Sequence, residues 1–151
     1  MKLIIPMAGR GTRLRPHTHV TPKPLIHVRG TSMVERIMDT FADTLPRGFD
    51  EAVFILGPDF GQGVRDSLTE IAERHGMTAA FGVQETALGT AHAVVQAGDH
   101  LSGECVVVFA DTLFYMDEKP SLADADAVIW VKHVDDPRRF GVVVKDADER
   151  I

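Results

Sequence analysis

The sequence predicts an α/β fold with a mainly parallel sheet, because strand-like and helix-like segments alternate along the chain. Two continuous apolar runs, at 52–56 and 105–110, are typical of strands that are covered on both faces. Between the predicted strands, apolar residues recur at helical spacing over about 10–15 residues. This pattern favours parallel strands joined by right-handed helical crossovers.

The elements follow one another in a regular order. Strands are predicted at 3–7, 52–56, 77–83, 105–110, 128–131 and 141–144, with a brief extended piece at 25–28. Helices are predicted at 32–45, 64–76 and 89–100. Ser32 followed by Glu35 has the spacing of a capping box, which marks the start of the first helix, and Pro46 marks its end. Cys105 and Trp130 lie inside predicted strands, so both are expected in the core.

The composition is that of an ordinary globular chain. Of its 151 residues, 44% are hydrophobic and 25% are charged. No apolar run approaches the length of about 18 residues that a membrane span needs. The single cysteine rules out an internal disulfide and fits a cytoplasmic location. The formal net charge of -6 predicts a surface that repels nucleic acid and anionic membranes, so neither is expected as a partner.

Two features lie where strands of a parallel sheet end, which is where open sheets bind ligands. The first is the glycine-rich loop 9–15, whose backbone N–H groups can surround a phosphate while Arg10, Arg13 and Arg15 add positive charge. The second is Asp111, which directly follows the most apolar strand and suits a hard cation such as magnesium. Taken singly, such a loop is often only a tight connection, and such an Asp is often a turn residue.

The loop does not match two common nucleotide-binding motifs. No Gly-Lys-Ser/Thr follows it, so it is not a Walker P-loop. The third glycine of a dinucleotide fingerprint is replaced by Leu14, and a long loop from Leu14 to Pro24 stands where a helix should begin. A dinucleotide-dependent oxidoreductase is therefore disfavoured.

In combination, the motifs resemble those of one enzyme family. Residues 9–18 read Gly-Arg-Gly-Thr-Arg-Leu-Arg-Pro-His-Thr, and residues 22–25 read Pro-Lys-Pro-Leu. Gln84, the stretch 88–91, Asp111, Asp136-Pro137 and the stretch 140–143 follow in order. Together they resemble the signature of the sugar nucleotidyltransferases, or nucleoside-diphosphate-sugar pyrophosphorylases, a family that includes the glucose-1-phosphate thymidylyltransferases.

The resemblance implies a three-layer α/β/α sandwich with a Rossmann-like sheet, of the nucleotide-diphospho-sugar transferase type. It implies transfer of a nucleotidyl group from a nucleoside triphosphate to a sugar 1-phosphate, with Mg²⁺ as cofactor and release of pyrophosphate. We expect dTTP or UTP with glucose 1-phosphate, and a homo-oligomer would fit the family. The alternatives are a guanylyl- or cytidylyltransferase, the latter acting on a phosphate such as phosphocholine, and a non-catalytic nucleotide-binding regulatory module.

The resemblance also implies roles for individual residues. The residues implied to bind the nucleotide are Ala8, Gly9, Gly11, Thr12, Arg13, Gln84, Gly89 and Thr90. Arg13 would stabilise the leaving pyrophosphate, Lys23 would reach the α-phosphate, and Asp111 would hold magnesium. Gln84 and Gly89 would read the base, although Gln84 can also be read as a solvated strand end. The intact set of Arg13, Lys23 and Asp111 favours an enzyme over a sensor.

Two departures from the family pattern limit this expectation. Ala110 stands where the family often has a glycine before the metal-binding Asp. The Glu-Lys-Pro segment and the second magnesium-binding Asp of the family cannot be placed, and Ile151 reads as the first residue of a further strand. We therefore expect one nucleotidyltransferase domain over 1–151, truncated at its C-terminal end, that binds nucleotide but is a poor catalyst by itself. His17 and His19 are not expected to bind metal, and His92 is expected to contact backbone or substrate.

Overall fold

The computed structural model describes residues 1–9, 21–45, 48–115, 125–148 and 150–151, without the side chains of 42–44. The chain forms two compact units, Met1–Pro120 and Ser121–Ile151. In the part of the chain that the structure describes, no helix is both long enough and apolar enough to cross a membrane.

Strands and helices alternate in the first unit, as the sequence predicts. The strands are β1 (Lys2–Pro6), β2 (His27–Val28), β3 (Thr31–Ser32), β4 (Glu51–Leu56), β5 (Thr78–Val83) and β6 (Cys105–Val107). The α-helices are α1 (Met33–Thr44), α2 (Gln62–Arg74) and α3 (Thr90–Val95), and 3₁₀ turns span Lys23–Leu25 and Gly98–Leu101. The third helix is shorter than predicted, because Gly98 has a φ of 56° that ends regular helix.

The main sheet has the order β5-β4-β1-β6, and all of its pairings are parallel. Ile5 of β1 lies opposite Phe54 of β4, and Ile4 lies opposite Val107 of β6. The chain moves outward from β1 to β4 and β5, and then returns to the other side of β1 to form β6. The strand order therefore reverses between β1 and β6, which is the position where open α/β sheets bind ligands.

Helices cover both faces of this sheet, which confirms the three-layer arrangement. On one face, strand residues pack with the α3 region in a core formed by Ile4, Val53, Ile55, Ala93 and Ala97. On the other face, the rings of Phe54 and Phe81 lie 5.7 Å apart, and Arg65 of α2 lies 5.0 Å from the Phe81 ring centre. Because successive strand residues point to opposite faces, one strand supplies both cores.

The first helix begins with the predicted capping box. The hydroxyl oxygen of Ser32 accepts a hydrogen bond from the Glu35 N–H at 3.3 Å, and the Ser32 N–H donates to Glu35 Oε2 at 3.0 Å. The pKa of Glu35 falls from 4.5 to about 2, chiefly because of the hydrogen bond from the Ser32 side chain, and the Arg74 guanidinium contributes to this shift. The cap thus depends on an ionised carboxylate.

We expect Ser32→Ala to lower the free energy of unfolding by about 1 kcal/mol at neutral pH, because the helix loses its N-cap. The folded-state pKa of Glu35 lies below its ordinary value, so the stability it contributes is present above pH 4.5 and is lost as the pH falls toward about 2. Ser32→Ala should therefore lose less stability with acid than the wild type, as measured by urea unfolding across this pH range. Ser67→Ala, in the exposed middle of α2, is the matched control. The prediction would be contradicted if the free energy of unfolding fell equally with acid in Ser32→Ala and the wild type.

Gly82 of β5 allows the end of α3 to approach the sheet directly. A Cβ atom at this position would overlap the Gln96 carbonyl oxygen and lie 2.9 Å from Cδ1 of Ile55. Backbone on one side and a fully buried side chain on the other leave no room for a methyl group. The absence of a side chain at Gly82 is therefore a packing requirement.

We expect Gly82→Ala to destabilise the fold by about 1–3 kcal/mol, because α3 must move away from β5. Gly63→Ala is the control, since its added Cβ would meet nothing within 4 Å, and it should leave stability unchanged or slightly raised. Urea unfolding of both variants measures the difference. Equal stability of the two variants would show that the helix and strand can separate without cost.

The strand β6 is shorter and more exposed than predicted. It spans three residues at the edge of the described sheet, and Cys105 and Val107 are exposed while Val106 is buried. The prediction of a strand over 105–110 that is covered on both faces is therefore wrong, as is the placement of Cys105 in the core. The physical reason is that an edge strand has a neighbour on one side only, and the alternating burial indicates cover on one face.

The second unit contains no helix or strand among its described residues, 125–148 and 150–151. The predicted strands at 128–131 and 141–144 are not formed there, and Trp130 is 44% exposed instead of lying in a core. An apolar run becomes a strand only where a second strand supplies hydrogen-bond partners. No such partner is present among the described residues of this unit.

Candidate active site

The candidate site lies at the carboxyl ends of β1 and β6, where the strand order reverses. Beyond β1, the Met7 N–H still donates to the Ile55 carbonyl at 2.9 Å, and Ala8 and Gly9 follow. Beyond β6, the Val108 N–H donates to the Ile4 carbonyl at 3.0 Å, and the chain then leads to Asp111. The two loops thus leave neighbouring strands at the same edge of the sheet.

The structure brings Lys23 and Asp111 together at this edge. Lys23 Nζ lies 2.7 Å from Asp111 Oδ2, although the two residues are 88 positions apart in the sequence. The lysine and aspartate side chains are 31% and 59% exposed, so water reaches the pair. The fold thus joins two of the predicted site residues, a cation and a carboxylate, at the edge where open parallel sheets bind ligands.

Backbone hydrogen bonds hold the main chain of Lys23 in place. The residue begins a 3₁₀ turn in which the Leu25 N–H donates to the Pro22 carbonyl at 2.9 Å. Pro24 is buried, and the Met33 N–H at the start of α1 donates to the Ile26 carbonyl at 3.3 Å. The turn is therefore fixed at both ends, while the flexible lysine side chain extends from it.

The described residues leave open space beside the beginning of the glycine-rich loop. A Cβ on Gly9 would meet none of their heavy atoms within 4 Å, whereas a Cβ on Gly57 would lie 3.3 Å from the Ala8 carbonyl oxygen. Ala8 is thus packed against the end of β4, and the chain opens to space one residue later. Arg10, Gly11, Thr12, Arg13, Arg15, His17 and His19 lie outside the described residues.

A second group of polar side chains follows β5. Gln84 is 7% exposed, so it is not a solvated strand end. Its Nε2 donates to the Gly89 carbonyl at 3.1 Å and lies 3.0 Å from His92 Nδ1. Because the Gly89 carbonyl only accepts, the amide nitrogen faces it, and His92 Nδ1 must accept from the same nitrogen.

This group fixes the loop that leads into α3. Gly89 has a φ of 102° and occupies the N-cap of the helix, and Thr90 begins the helix and is exposed. The part of His92 in holding Gln84 was not predicted from the sequence. His92 follows Gly89 by three residues at the start of a helix, and this spacing places the two residues on the same side of the first turn. The spacing is visible in the sequence and could have indicated the contact.

We expect Gln84→Leu, which keeps the volume but removes both contacts, to speed amide hydrogen exchange in residues 85–89 and to cost about 1–3 kcal/mol of stability. Gln96→Leu is the control, because Gln96 contacts His92 but not Gly89. Hydrogen exchange followed by mass spectrometry measures both variants. If exchange in this loop were equally fast in both, Gln84 would not be what holds it.

The donor set at Asp111 fits magnesium. The described parts of the chain contain no group of three or more His, Cys, Asp or Glu side chains that could hold a metal ion. Mg²⁺ commonly keeps several waters and binds through one or two carboxylates together with substrate phosphates. A single exposed carboxylate suits this pattern, whereas it would not suit a metal held by protein ligands alone.

Comparison with known sequences gives consistent results over the whole chain. The family model described as nucleotidyl transferase matches residues 2–151. The bifunctional protein GlmU of Methanocaldococcus jannaschii is 32% identical over 151 residues, covering 100% of this chain and 34% of that protein. GlmU of Methanococcus vannielii is 32% identical over 156 residues with the same coverage. The chain thus spans about a third of the length of these curated relatives.

Solved structures share the fold. A Bacillus anthracis protein described as a glucose-1-phosphate thymidylyltransferase is 28% identical, with a TM-score of 0.58 over 74% of this chain and 44% of that chain. The CTP:phosphocholine cytidylyltransferase LicC of Streptococcus pneumoniae is 25% identical, with a TM-score of 0.53 over 73% and 44%. The inositol-1-phosphate CTP transferase of T. maritima, at 22% identity and a TM-score of 0.61 over 75% and 44%, is similar in fold. The match over 2–151 shows that this chain belongs to the nucleotidyl transferase family.

Proposed function

We propose that this chain forms the nucleotide-binding part of an active site that transfers a nucleoside monophosphate from a nucleoside triphosphate to a sugar 1-phosphate. The observation that carries the proposal is the contact of 2.7 Å between Lys23 and Asp111. It lies where the strand order reverses, beside the loop that follows β1. Family membership over 2–151 supports the same reaction class.

The chemistry needs charge and alignment more than proton transfer. A phosphate oxygen of the sugar 1-phosphate attacks the α-phosphorus and forms a new P–O bond. The bond from the α-phosphorus to the oxygen bridging to the β-phosphate breaks, and pyrophosphate leaves with the electron pair. Because the nucleophile is already an anion, no general base is required. The protein must hold the two substrates in line and neutralise the charge around phosphorus.

The residues of the site can perform these tasks. Lys23 would bring its cation to the α-phosphate from a turn that backbone hydrogen bonds fix. Asp111 would hold Mg²⁺, which when bound supplies further positive charge to the phosphates. The triphosphate would lie along the backbone from Ala8, and Arg13 would stabilise the leaving pyrophosphate.

We propose dTTP or UTP as the nucleotide and glucose 1-phosphate as the acceptor, and the arrangement around Gln84 supports this choice of base. Both N–H groups of the Gln84 amide are engaged, by Gly89 and His92. What remains for a base is the amide oxygen, an acceptor that matches the N3–H of uracil or thymine but not the N3 of cytosine. The likeness to the Bacillus anthracis protein supports a thymidylyl group. The likeness to LicC supports the second candidate, a cytidylyl group transferred to phosphocholine.

A thermal-shift panel of dTTP, UTP, CTP, GTP and ATP, each with and without Mg²⁺, tests the proposal. We expect dTTP or UTP to raise the Tm by about 5–10 °C at about 100 times its Kd, with a larger shift when Mg²⁺ is present. Lys23→Ala should lose most of the shift, and where turnover is measured it should lower kcat/KM at least about tenfold. Lys2→Ala, at the amino end of β1, is the matched control and should retain both.

Other outcomes of this panel distinguish the alternatives. A shift with CTP alone would favour the cytidylyltransferase. A nucleotide shift without pyrophosphate release from nucleotide and any sugar 1-phosphate, in a chain of the relatives' full length, would favour a regulatory module. No shift with any nucleotide would contradict the proposal.

A further inference from the structure

We propose that Lys23 masks Asp111 in the free chain, and that nucleotide binding uncovers this carboxylate for a divalent cation. The inference rests on the proposed function, since it takes Asp111 as the residue that holds the metal. It adds that the metal and the nucleotide bind cooperatively, with Lys23 as the residue that couples them.

The contact leaves no place for a cation on the same oxygen. Lys23 Nζ is in direct hydrogen-bond contact with Asp111 Oδ2, at 2.7 Å. A magnesium ion bound to that oxygen would stand about 2.0–2.1 Å from it, against a neighbouring ammonium group. The two cations repel each other, so the metal can take this position only after the lysine has moved.

The lysine can move without any change in the fold. Its backbone belongs to a 3₁₀ turn that hydrogen bonds hold, and its ammonium group lies at the end of a flexible four-carbon stem. The lysine side chain is 31% exposed and the aspartate side chain 59%. The pair can therefore open into solvent by rotation about side-chain bonds alone.

The ion pair between Lys23 and Asp111 is weak enough for a bound nucleotide to break it. A solvent-exposed ion pair of this kind shifts an equilibrium by no more than about fivefold. A triphosphate carries several negative charges and offers the lysine a stronger partner than one carboxylate. Once Lys23 has turned to a phosphate, Asp111 loses its cation and gains affinity for a divalent metal. By linkage, the metal strengthens nucleotide binding by the same factor.

The test measures binding of Mn²⁺ alone, as a stand-in for Mg²⁺, to the nucleotide-free chain by electron paramagnetic resonance. We expect Lys23→Gln to bind Mn²⁺ up to about fivefold more tightly than the wild type, because the competing ion pair is gone. Lys23→Arg keeps a cation on Asp111 and should bind Mn²⁺ as the wild type does. Lys2→Gln removes a lysine from the opposite end of β1, where its Nζ contacts the Ser102 carbonyl oxygen, and should also leave the affinity unchanged.

Addition of Asp111→Asn to Lys23→Gln should abolish the gain and locate the metal at this carboxylate. Three results would overturn the proposal: equal affinity of Lys23→Gln and wild type, an equal gain in Lys2→Gln, or a gain that survives Asp111→Asn. Circular dichroism of each variant confirms that the fold is intact.

Failure of this inference is separable from failure of the proposed function. If nucleotides stabilise the wild-type chain but Lys23→Gln does not gain Mn²⁺ affinity, only the masking is wrong. If Lys23→Gln gains affinity through Asp111 but no nucleotide stabilises the chain, the masking stands and the proposed substrate class is wrong.

Discussion

The position of β1 between β4 and β6 is the constraint on which the rest of the first unit depends. Leu3, Ile4 and Ile5 are fully buried, and they serve the cores on both faces of the sheet. Because β4 and β5 lie on one side of this strand and β6 on the other, the strand order reverses beside β1. The position of the candidate site is therefore set by chain topology, whatever residues lie there.

At the candidate site, hydrogen-bonded backbone carries side chains that are partly exposed. The turn that carries Lys23 is held by backbone hydrogen bonds and by the buried ring of Pro24. Asp111 follows a segment that stays paired with β1 as far as Val108. The side chains themselves remain partly exposed and hold each other only by an ion pair. Such a site keeps its geometry while its polar groups exchange partners.

Local features of the fold could be predicted from the sequence, and non-local ones could not. The capping box of Ser32 and Glu35 depends on residues three positions apart, and it forms as predicted. Cys105 is exposed because β6 is an edge strand. The order of strands in the sheet decides this, and the apolar run at 105–110 does not indicate it. For the same reason Trp130 lies in a segment whose apolar pattern predicts a strand, although the described residues of its unit supply no partner.

The same distinction between local and non-local features applies to the candidate site. The glycine-rich loop and Asp111 could be chosen as candidates because strand ends are visible in the sequence. The contact between Lys23 and Asp111 could not be predicted from spacing, since 88 positions separate them and only the fold brings them together. The pairing of Gln84 with His92 depends on the amide orientation that the Gly89 carbonyl imposes.

The close approach at Gly82 has a consequence for how α3 meets a ligand. The helix contacts β5 and the residue after it at two points. At its C-terminal end the Gln96 backbone packs against Gly82, and at its N-terminal end the Gly89 carbonyl accepts a hydrogen bond from Gln84. A short helix anchored at both ends to one strand cannot tilt or slide independently of the sheet. A molecule that docks against its first turn therefore meets a surface already in its final shape, and loses little affinity to the ordering of the protein. Selection among ligands at this position would rest on their fit to this surface.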